Sequence, residues 1–303
     1  MLFKNLLVHR LGKKWSLTAE QLEEKLARQA LQPCGSYAME SRGWLNPREE
    51  DERYVYNQHR HWLIALGVEQ KLLPSSVIKQ AAKDLAVQIS AQQGRPVGRK
   101  EMRDLKDRVT NELMPRALAK RSTTRAWLDE VNRLLIIEAG ADKKAEEFLE
   151  ALRRAEEDFP CRRLETKLSA GPAMTRWLSA HQPPHGFSID QDLELQAADM
   201  GKATVRYTRH DLEGKDIRDH ISAGKMVMRM GMTWKDRVSF VLTEQLQITR
   251  VSFVDIVRDE AGGDAADAEE QFAIDFALMT GELSQMIAAL VEALDGEKTA
   301  DEA

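Results

Sequence analysis

The sequence contains little cysteine and no long apolar run. Its two cysteines, Cys34 and Cys161, stand far apart in 303 residues. We expect both to be buried, reduced thiols, as is usual in a cytosolic protein, although the pair also allows one disulfide. No stretch reaches the roughly eighteen apolar residues of a membrane span, so we expect no transmembrane helix. The apolar start of the chain lacks a small-residue cleavage site, so we expect no secretory signal and a cytoplasmic location.

The sequence also lacks a strong catalytic signature. Residues 76–79 have the Ser-x-x-Lys spacing of serine acyl-transfer enzymes, but no Lys-Thr-Gly or Ser-Asp-Asn accompanies them. We expect Ser76 to cap a helix instead. The glycine-containing segment 94–100 lacks the Lys-Ser/Thr of a P-loop and follows a helical pattern. His59 and His61 have no further ligands nearby, which argues against zinc. These motifs therefore identify no catalytic residue, and we expect no metal and no cofactor.

One alternative keeps an enzymatic function open. Asp190, Asp192 and Glu194 alternate along a predicted strand, which places their carboxylates on one strand face. Three carboxylates are able to hold Mg²⁺ for a nuclease. A solvated strand face explains the same pattern, since no general base or lysine accompanies the acids.

Positive charge is concentrated in one segment, residues 95–125. This segment has ten Lys/Arg and four acids, a net charge of +6, whereas the whole chain has −5. Residues 255–303 contain fourteen acids and only two bases. A single basic segment on an otherwise acidic protein creates a local positive field, which attracts phosphate groups.

The basic segment has the pattern of an amphipathic helix. Its apolar residues recur at spacings of three and four, and Pro115 predicts that the helix ends near Met114. Arg99, Arg103 and Lys106 share one flank of this helix. After Pro115, hydroxyl residues lie between arginines, a combination that suits contacts to phosphate oxygens. A solvated helix with i,i+4 ion pairs is the alternative that the pattern leaves open.

The rest of the chain predicts an α+β fold with mixed or antiparallel sheets and packed helices. Strands are predicted at 3–11, 54–67, 125–140, 161–168, 187–195 and 203–209, followed by a meander over 225–255 whose alternating methionines share one face. A helix from 76 joined to the basic helix by a Gly/Pro loop predicts a projecting helical finger. Residues 262–266 are predicted to form a loop. The apolar seam of the last helix, 268–294, packs either on its own domain or on another helix, including a partner's copy.

Several segments resemble the family of the bacterial recombination-associated protein RdgC. Order and spacing agree with that family over nearly the full chain, with weaker stretches at 44–62 and 170–200. The segments that carry the resemblance are FKNLLVHRL, PCGS, KLLPSSVIKQA, LKDRV with LMPRALAKRS, ADKKAEEFLEALR, HISAGKMV, RVSFV and DFALMTGEL.

The resemblance implies a non-enzymatic protein that binds double-stranded DNA without sequence preference. It implies a ring-shaped homodimer that encircles DNA in the cytoplasm and nucleoid, and that restrains RecA-mediated recombination by occupying DNA. It also implies a central α+β domain (1–73 and 123–181), a helical finger (74–122) and a base domain with the C-terminal helix (182–303). A protein-only interaction scaffold, with the acidic C-terminal helix as its contact, is a further alternative.

The resemblance and the charge pattern together predict the DNA-binding residues. The gate between base domains in the family has a basic and a polar residue ahead of Asp-Leu, a place that Arg209 and His210 occupy here. Family members often have an aromatic residue two positions beyond the Pro-Arg-Ala of the finger, whereas residues 118–121 here contain none. The predicted DNA-binding residues are Arg95, Arg99, Lys100, Arg103, Lys106, Arg116, Lys120, Arg121, Arg125, Arg209 and His210.

Overall fold

The computed structural model describes residues 2–48, 51–157, 159–199, 201–254 and 267–298. In these ranges the strands, in chain order, are β1 (Leu6–Leu11), β2 (Glu40–Leu45), β3 (Tyr56–Gln58), β4 (His61–Lys71), β5 (Ala119–Asp129), β6 (Leu134–Glu138), β7 (Cys161–Arg163), β8 (Phe187–Ala197), β9 (Thr204–Tyr207), β10 (Lys225–Trp234), β11 (Val238–Thr243) and β12 (Ile248–Phe253). The α-helices are α1 (Ala19–Ala27), α2 (Ser75–Gln93), α3 (Arg99–Leu113), α4 (Asp142–Ala155), α5 (Ala170–Ala180), α6 (Lys215–Ser222) and α7 (Ala268–Ala293). Antiparallel ladders and packed helices confirm the predicted α+β class. The predicted loop at 262–266 lies outside the described residues.

The chain divides into two compact units. Unit 1 consists of Met1–Ala19, Tyr56–Leu63 and Ala126–Ala303, and unit 2 consists of Glu20–Val55 and Ile64–Arg125. The long strands β4 and β5 each contribute residues to both units. The division into a central domain, a finger and a base domain stays a prediction.

Unit 1 is built on an antiparallel sheet with the strand order β5-β6-β1-β12-β11-β10-β8-β9. On β11 the residues Val238, Phe240 and Leu242 are buried in one core cluster with side chains of α5 and α7. Side chains alternate between the two faces of a strand, so this face of the sheet is the one that the helices cover. In β6, by contrast, all of the residues 134–137 are buried. The predicted meander is confirmed as β10, β11 and β12.

The predicted strand at 54–67 is a hairpin of two strands, β3 and β4. Gln58 pairs with His61 across a two-residue turn. His59 and Arg60 in that turn have φ values of 51° and 67°. Two successive residues with positive φ match the twist of antiparallel strands, but the turn usually contains Asn or Gly. The histidine and arginine here gave no turn signal in the sequence.

The methionines of β10 do not share one face. Met230 and Met232 are fully buried, whereas Met226 is 38% exposed and Val227 is buried in its place. The ladder with β8 shifts register between Val227 and Arg229, and again between Met230 and Met232. A bulge changes which side chains of a strand point to the core. The prediction of a single methionine face is therefore wrong, although core packing of two methionines is confirmed.

The C-terminal helix α7 packs on its own unit. Its buried residues, among them Leu283 and Leu290, belong to the core cluster of unit 1. Tyr56 contacts Phe272 and Phe276 edge-on, with ring centroids 5.1 and 5.4 Å apart. By length and mean hydropathy (1.3 in its most apolar window) α7 also meets the criterion for a membrane span. The core helix of a globular unit meets the same criterion, and 39% of that window of α7 is buried inside the protein.

Unit 2 contains the strand order β2-β4-β5. Gly43 of β2 lies so close to the backbone of Leu31 that an added Cβ would come within 2.4 Å of the Leu31 Cα. The Leu72 amide donates to the Leu118 carbonyl at 2.7 Å. The end of β4 and the start of β5 therefore lie next to each other, and the segment between them contains α2 and α3.

The helices α2 and α3 form the predicted helical hairpin. The helix α2 begins at Ser75 after Pro74, with no side-chain cap, so the prediction that Ser76 caps it is wrong. Gly94 ends α2 with a φ of 67°, in the left-handed region that favours glycine. The helix α3 ends at Leu113 and a single 3₁₀ turn follows, as Pro115 predicts.

Candidate nucleic-acid interface

The packing of the hairpin sets which side of α3 faces solvent. Leu105 and Val109 of α3 are buried together with Ala82 and Ala86 of α2. The alanines are small, so the apolar stripe of α3 lies against the backbone of α2. The flank of α3 that bears its arginines therefore stays outside this contact.

Arg95, in the loop between the two helices, is compensated within the hairpin. Its terminal nitrogens donate to both oxygens of Glu101 at 2.9 and 2.6 Å. The Gly98 amide donates to the same carboxylate at 2.8 Å. The hydrogen bonds from Arg95 and Gly98 lower the pKa of Glu101 to about 2. Glu101 is thus ionised at neutral pH and cancels much of the charge of Arg95.

The remaining basic residues of α3 are of two kinds. Arg108 pairs with Glu112 one turn later at 2.9 Å, as the solvated-helix alternative predicts. The other four have no carboxylate partner among the described residues. Three of them are spaced by four and three and so share a helix face. These three, the basic row, are Arg99, Arg103 and Lys106, and the neighbouring Lys100 is also exposed.

The four basic residues after Pro115 have different surroundings. Arg116 and Lys120 are exposed. Arg121 is exposed as well, but it pairs with Glu69 at 3.1 Å. Arg125 is half-buried on β5, and its Nε has no hydrogen-bond partner among the residues with described positions. The sequence pattern treated the four alike, whereas in the structure residues 119–123 of β5 are all exposed and burial begins at Thr124, so that Arg125 is the one of the four that is partly buried.

Two lysines outside the basic segment were missed by sequence reasoning. Lys79 and Lys83 are exposed on α2. Their spacing of four places them on one face of that helix. The spacing of four between these lysines, next to the apolar positions of α2, is the sequence signal that could have identified them. Both lysines add to the positive charge of the hairpin.

In unit 1, the loop after β9 exposes Arg209 and His210. Arg209 has a φ of 53°, and its amide donates to Asp192 Oδ1 at 3.3 Å. The His210 amide donates to the Gln191 carbonyl at 3.1 Å. The ring of Tyr207 lies 5.0 Å from that of His210. The backbone of the predicted gate residues is fixed on β8 while their side chains face solvent.

The three carboxylates of β8 are engaged by neighbouring side chains. Asp190 accepts a hydrogen bond from a threonine hydroxyl at 3.0 Å, and burial raises its pKa. Asp192 accepts from Arg250 at 3.4 Å, and Glu194 accepts from Arg206 at 3.0 Å. In the part of the chain that the structure describes, no group of three His, Cys, Asp or Glu is placed to hold a metal ion.

Comparison with known proteins gives the family. The family model described as "Putative exonuclease, RdgC" matches residues 1–297. The chain belongs to the RdgC family. It is 48% identical over 297 residues to the recombination-associated protein RdgC of Janthinobacterium sp. (strain Marseille), covering 98% of this chain and 99% of that protein. It is 47% identical over 300 residues to the recombination-associated protein RdgC of Dechloromonas aromatica (strain RCB), covering 98% of each.

RdgC membership confirms the resemblance seen in the sequence. The identity extends over nearly the whole of both proteins, so the match includes the helical hairpin as well as the sheets of unit 1. The two descriptions differ in the activity that they name: the RdgC relatives are named for recombination, whereas the family model is described as an exonuclease. The residues predicted to bind DNA stay predictions.

Proposed function

We propose that this RdgC family member binds double-stranded DNA without sequence preference and is not an enzyme. The observation that carries the proposal is the basic row of α3, exposed or half-exposed and without carboxylate partners among the described residues. Charged side chains of this kind bind backbone phosphates, which are the same for every base sequence. The exposed residues Lys100, Arg116 and Lys120 add further positive charge for phosphate contacts.

The functional unit that we propose is a homodimeric ring around the duplex. Membership of a family of recombination-associated proteins supports this proposal. A ring that occupies duplex DNA denies it to the RecA filament and so restrains recombination. The whole chain has a net charge of −5. We therefore expect DNA to be attracted only to the surface where basic residues are concentrated. Such a protein resides in the cytoplasm, on the nucleoid.

A titration of duplex DNA across salt concentrations tests the binding mode. If six to ten phosphates are neutralised, the affinity falls roughly 10³- to 10⁵-fold between 50 and 200 mM salt. AT-rich and GC-rich duplexes should bind with similar affinity, since phosphate contacts carry no base information. An affinity that does not respond to salt, or one strongly preferred sequence, would contradict the proposal.

The nuclease alternative has one observation in its favour, the description of the family model. It is tested by incubating linear duplex and supercoiled plasmid with the protein and Mg²⁺. We expect no degradation and no nicking, because Asp192 and Glu194 are engaged by arginines. Cleavage that disappears in Asp192→Asn would establish the nuclease instead. Absence of any DNA retention at low salt would favour the protein-only scaffold.

A further inference from the structure

A groove in unit 1 lies between the helix α4 and the strands β1 and β7. In the antiparallel ladder His9 is paired with Arg163, and Leu11 with Cys161. Directly opposed residues point to the same face of a sheet. Helix positions spaced by three, four and seven share one face, and the face of α4 that starts at Asp142 covers this part of the sheet. The lining residues with polar side chains are His9, Asp142, Glu146, Arg153, Cys161, Arg162 and Arg163, of which Arg162 is paired with Glu297.

His9 is a buried polar residue that lines this groove. The side chain is only 6% exposed. Its Nδ1 is buried and has no hydrogen-bond partner among the residues that the structure describes. Buried polar atoms in proteins almost always have a partner, and leaving one without costs stability. A buried ring nitrogen that lines an open groove therefore indicates a ligand or water as its partner.

The charges around His9 favour an anion. Burial first, and then the charges of Arg163 and Arg153, lower the pKa of His9 to about 4, while the backbone of Leu7 and the carboxylate of Asp142 oppose the shift. Arg163 and Arg153 each lower this pKa more than Asp142 raises it. Burial raises the pKa of Cys161, so this thiol adds no negative charge at neutral pH.

The two arginines retain donors for a ligand. Arg163 is held by Asp142 and by the Gln245 carbonyl, to which it donates at 3.1 Å. A guanidinium has five N–H donors, so these contacts leave donors of Arg163 unused. Arg153 is exposed on α4, and none of the carboxylates with described positions lies at ion-pair distance from it.

We propose that this groove binds a small tetrahedral oxyanion of the phosphate class between Arg153 and Arg163, above the ring of His9. Two guanidinium groups supply charge-assisted hydrogen bonds, which are the usual means of holding phosphate. The ring nitrogen of His9 receives a partner when the site is filled. Free phosphate and a phosphate of DNA present the same chemistry, and the experiment separates these two sources.

The test is a pH titration of the His9 ring by NMR on the full chain, with and without inorganic phosphate at constant ionic strength. The His9 signal is assigned by its loss in His9→Gln. Bound phosphate should raise the pKa of His9 from about 4 toward the ordinary value of 6.5, because an adjacent anion stabilises the imidazolium. Chloride at the same ionic strength should leave it unchanged.

Two neighbouring arginines of α4 provide the variant and its control. Arg153→Ala should raise the half-saturating phosphate concentration about tenfold or more, since it removes a charged hydrogen bond. Arg154→Ala should leave it unchanged, because Arg154 pairs with Glu150 on the helix surface. Equal responses of the two variants, an equal effect of chloride, or no response to any phosphate would overturn the site.

A third arm identifies the source of the phosphate. A short duplex is added with and without 5′ phosphates, and DNA affinity is measured separately by salt titration. A His9 response to inorganic phosphate assigns the site to the free ion. A response to the phosphorylated duplex alone upholds the site and assigns its phosphate to a DNA end. Because Arg153 is not among the predicted DNA-binding residues, loss of this site with intact duplex affinity leaves the proposed function standing.

Discussion

At the scale of single residues, a basic side chain adds to phosphate binding only where its charge is not already paired within the protein. Arg95, Arg108 and Arg121 each have a carboxylate partner. Exposed ion pairs contribute little stability, but they reduce the charge available to a ligand. Removing charge from the basic row should therefore weaken DNA binding more than removing charge elsewhere in the hairpin.

Reversal of the basic row should weaken DNA binding without unfolding the hairpin. We expect Arg99→Glu/Arg103→Glu/Lys106→Glu to lower the salt slope by about one unit for each phosphate that the protein no longer neutralises. Circular dichroism should stay unchanged, because the row lies outside the contact with α2. The matched control is Arg108→Ala/Glu112→Ala, which removes an ion pair of the same helix and keeps the net charge. Equal duplex affinity in the triple variant and the control would mean that DNA binds elsewhere.

His9 should make the stability of the protein depend on pH. Its pKa in the folded chain, about 4, lies below the ordinary value of 6.5. The unfolded chain therefore binds more protons between these values, so the free energy of unfolding falls as the pH falls below 6.5 and is unaffected by His9 above it. Between pH 7 and pH 5 this loss should be about 2 kcal/mol. Denaturant unfolding at both pH values should show that loss in the parent and not in His9→Gln; an identical loss in both would contradict it.

At the scale of elements, the hairpin α2–α3 depends on a small core. Leu105 and Val109 are its large buried side chains, and alanines face them. An amphipathic pair of helices gains most of its stability from such packing and little from propensity. The hairpin should consequently be the part of unit 2 that opens first.

Leu105→Ala should destabilise the hairpin by about 2 kcal/mol, because burial is reduced and a cavity remains. Hydrogen exchange should become faster in α2 and α3, while the amides of β10 and β11 keep their protection, since local opening follows local packing. Val87→Ala on α2 is the control, because Val87 is 62% exposed. Faster exchange throughout the chain would show that the hairpin and the sheets unfold together.

At the scale of the whole molecule, a closed ring should hold circular DNA longer than linear DNA. A ring leaves a closed circle only when an interface opens, whereas it slides off a free end. We expect a longer dissociation time from a closed plasmid than from the same plasmid cut once, at equal salt. Deletion of residues 75–116, replaced by a short Gly-Ser linker, should abolish the difference. The deletion is limited to these residues because the hydrogen bond between Leu72 and Leu118 holds the two flanking segments close together. Equal lifetimes of the intact protein on both DNAs would indicate an open basic surface.

Restraint of RecA should follow DNA occupancy. In a strand-exchange reaction, the parent protein should inhibit in proportion to the duplex that it covers. The triple variant of the basic row should lose inhibition to the same extent as it loses duplex affinity. The control variant Arg108→Ala/Glu112→Ala should inhibit like the parent. Inhibition that persists in the triple variant would point to a direct contact with RecA.

Elements whose signals are local could be predicted from the amino-acid sequence. The basic helix ends where Pro115 removes a hydrogen-bond donor, and the break at Gly94 produces the hairpin. The meander of β10–β12 follows from alternation of apolar residues. Family membership likewise follows from the sequence, because it depends on identities in order along the chain.

Which side chains meet could be seen only in the folded chain. The register shift between Val227 and Arg229 in the pairing of β10 with β8 leaves Met226 exposed and brings Met230 and Met232 to the core, and no local pattern encodes such a shift. Glu69 pairs with Arg121, so the charge of a predicted DNA-binding residue depends on a carboxylate 52 residues earlier in the chain. The groove above His9 needs α4 and β7 beside β1. Burial, ion pairing and register are properties of contacts between distant segments, and they exist only once the chain has folded.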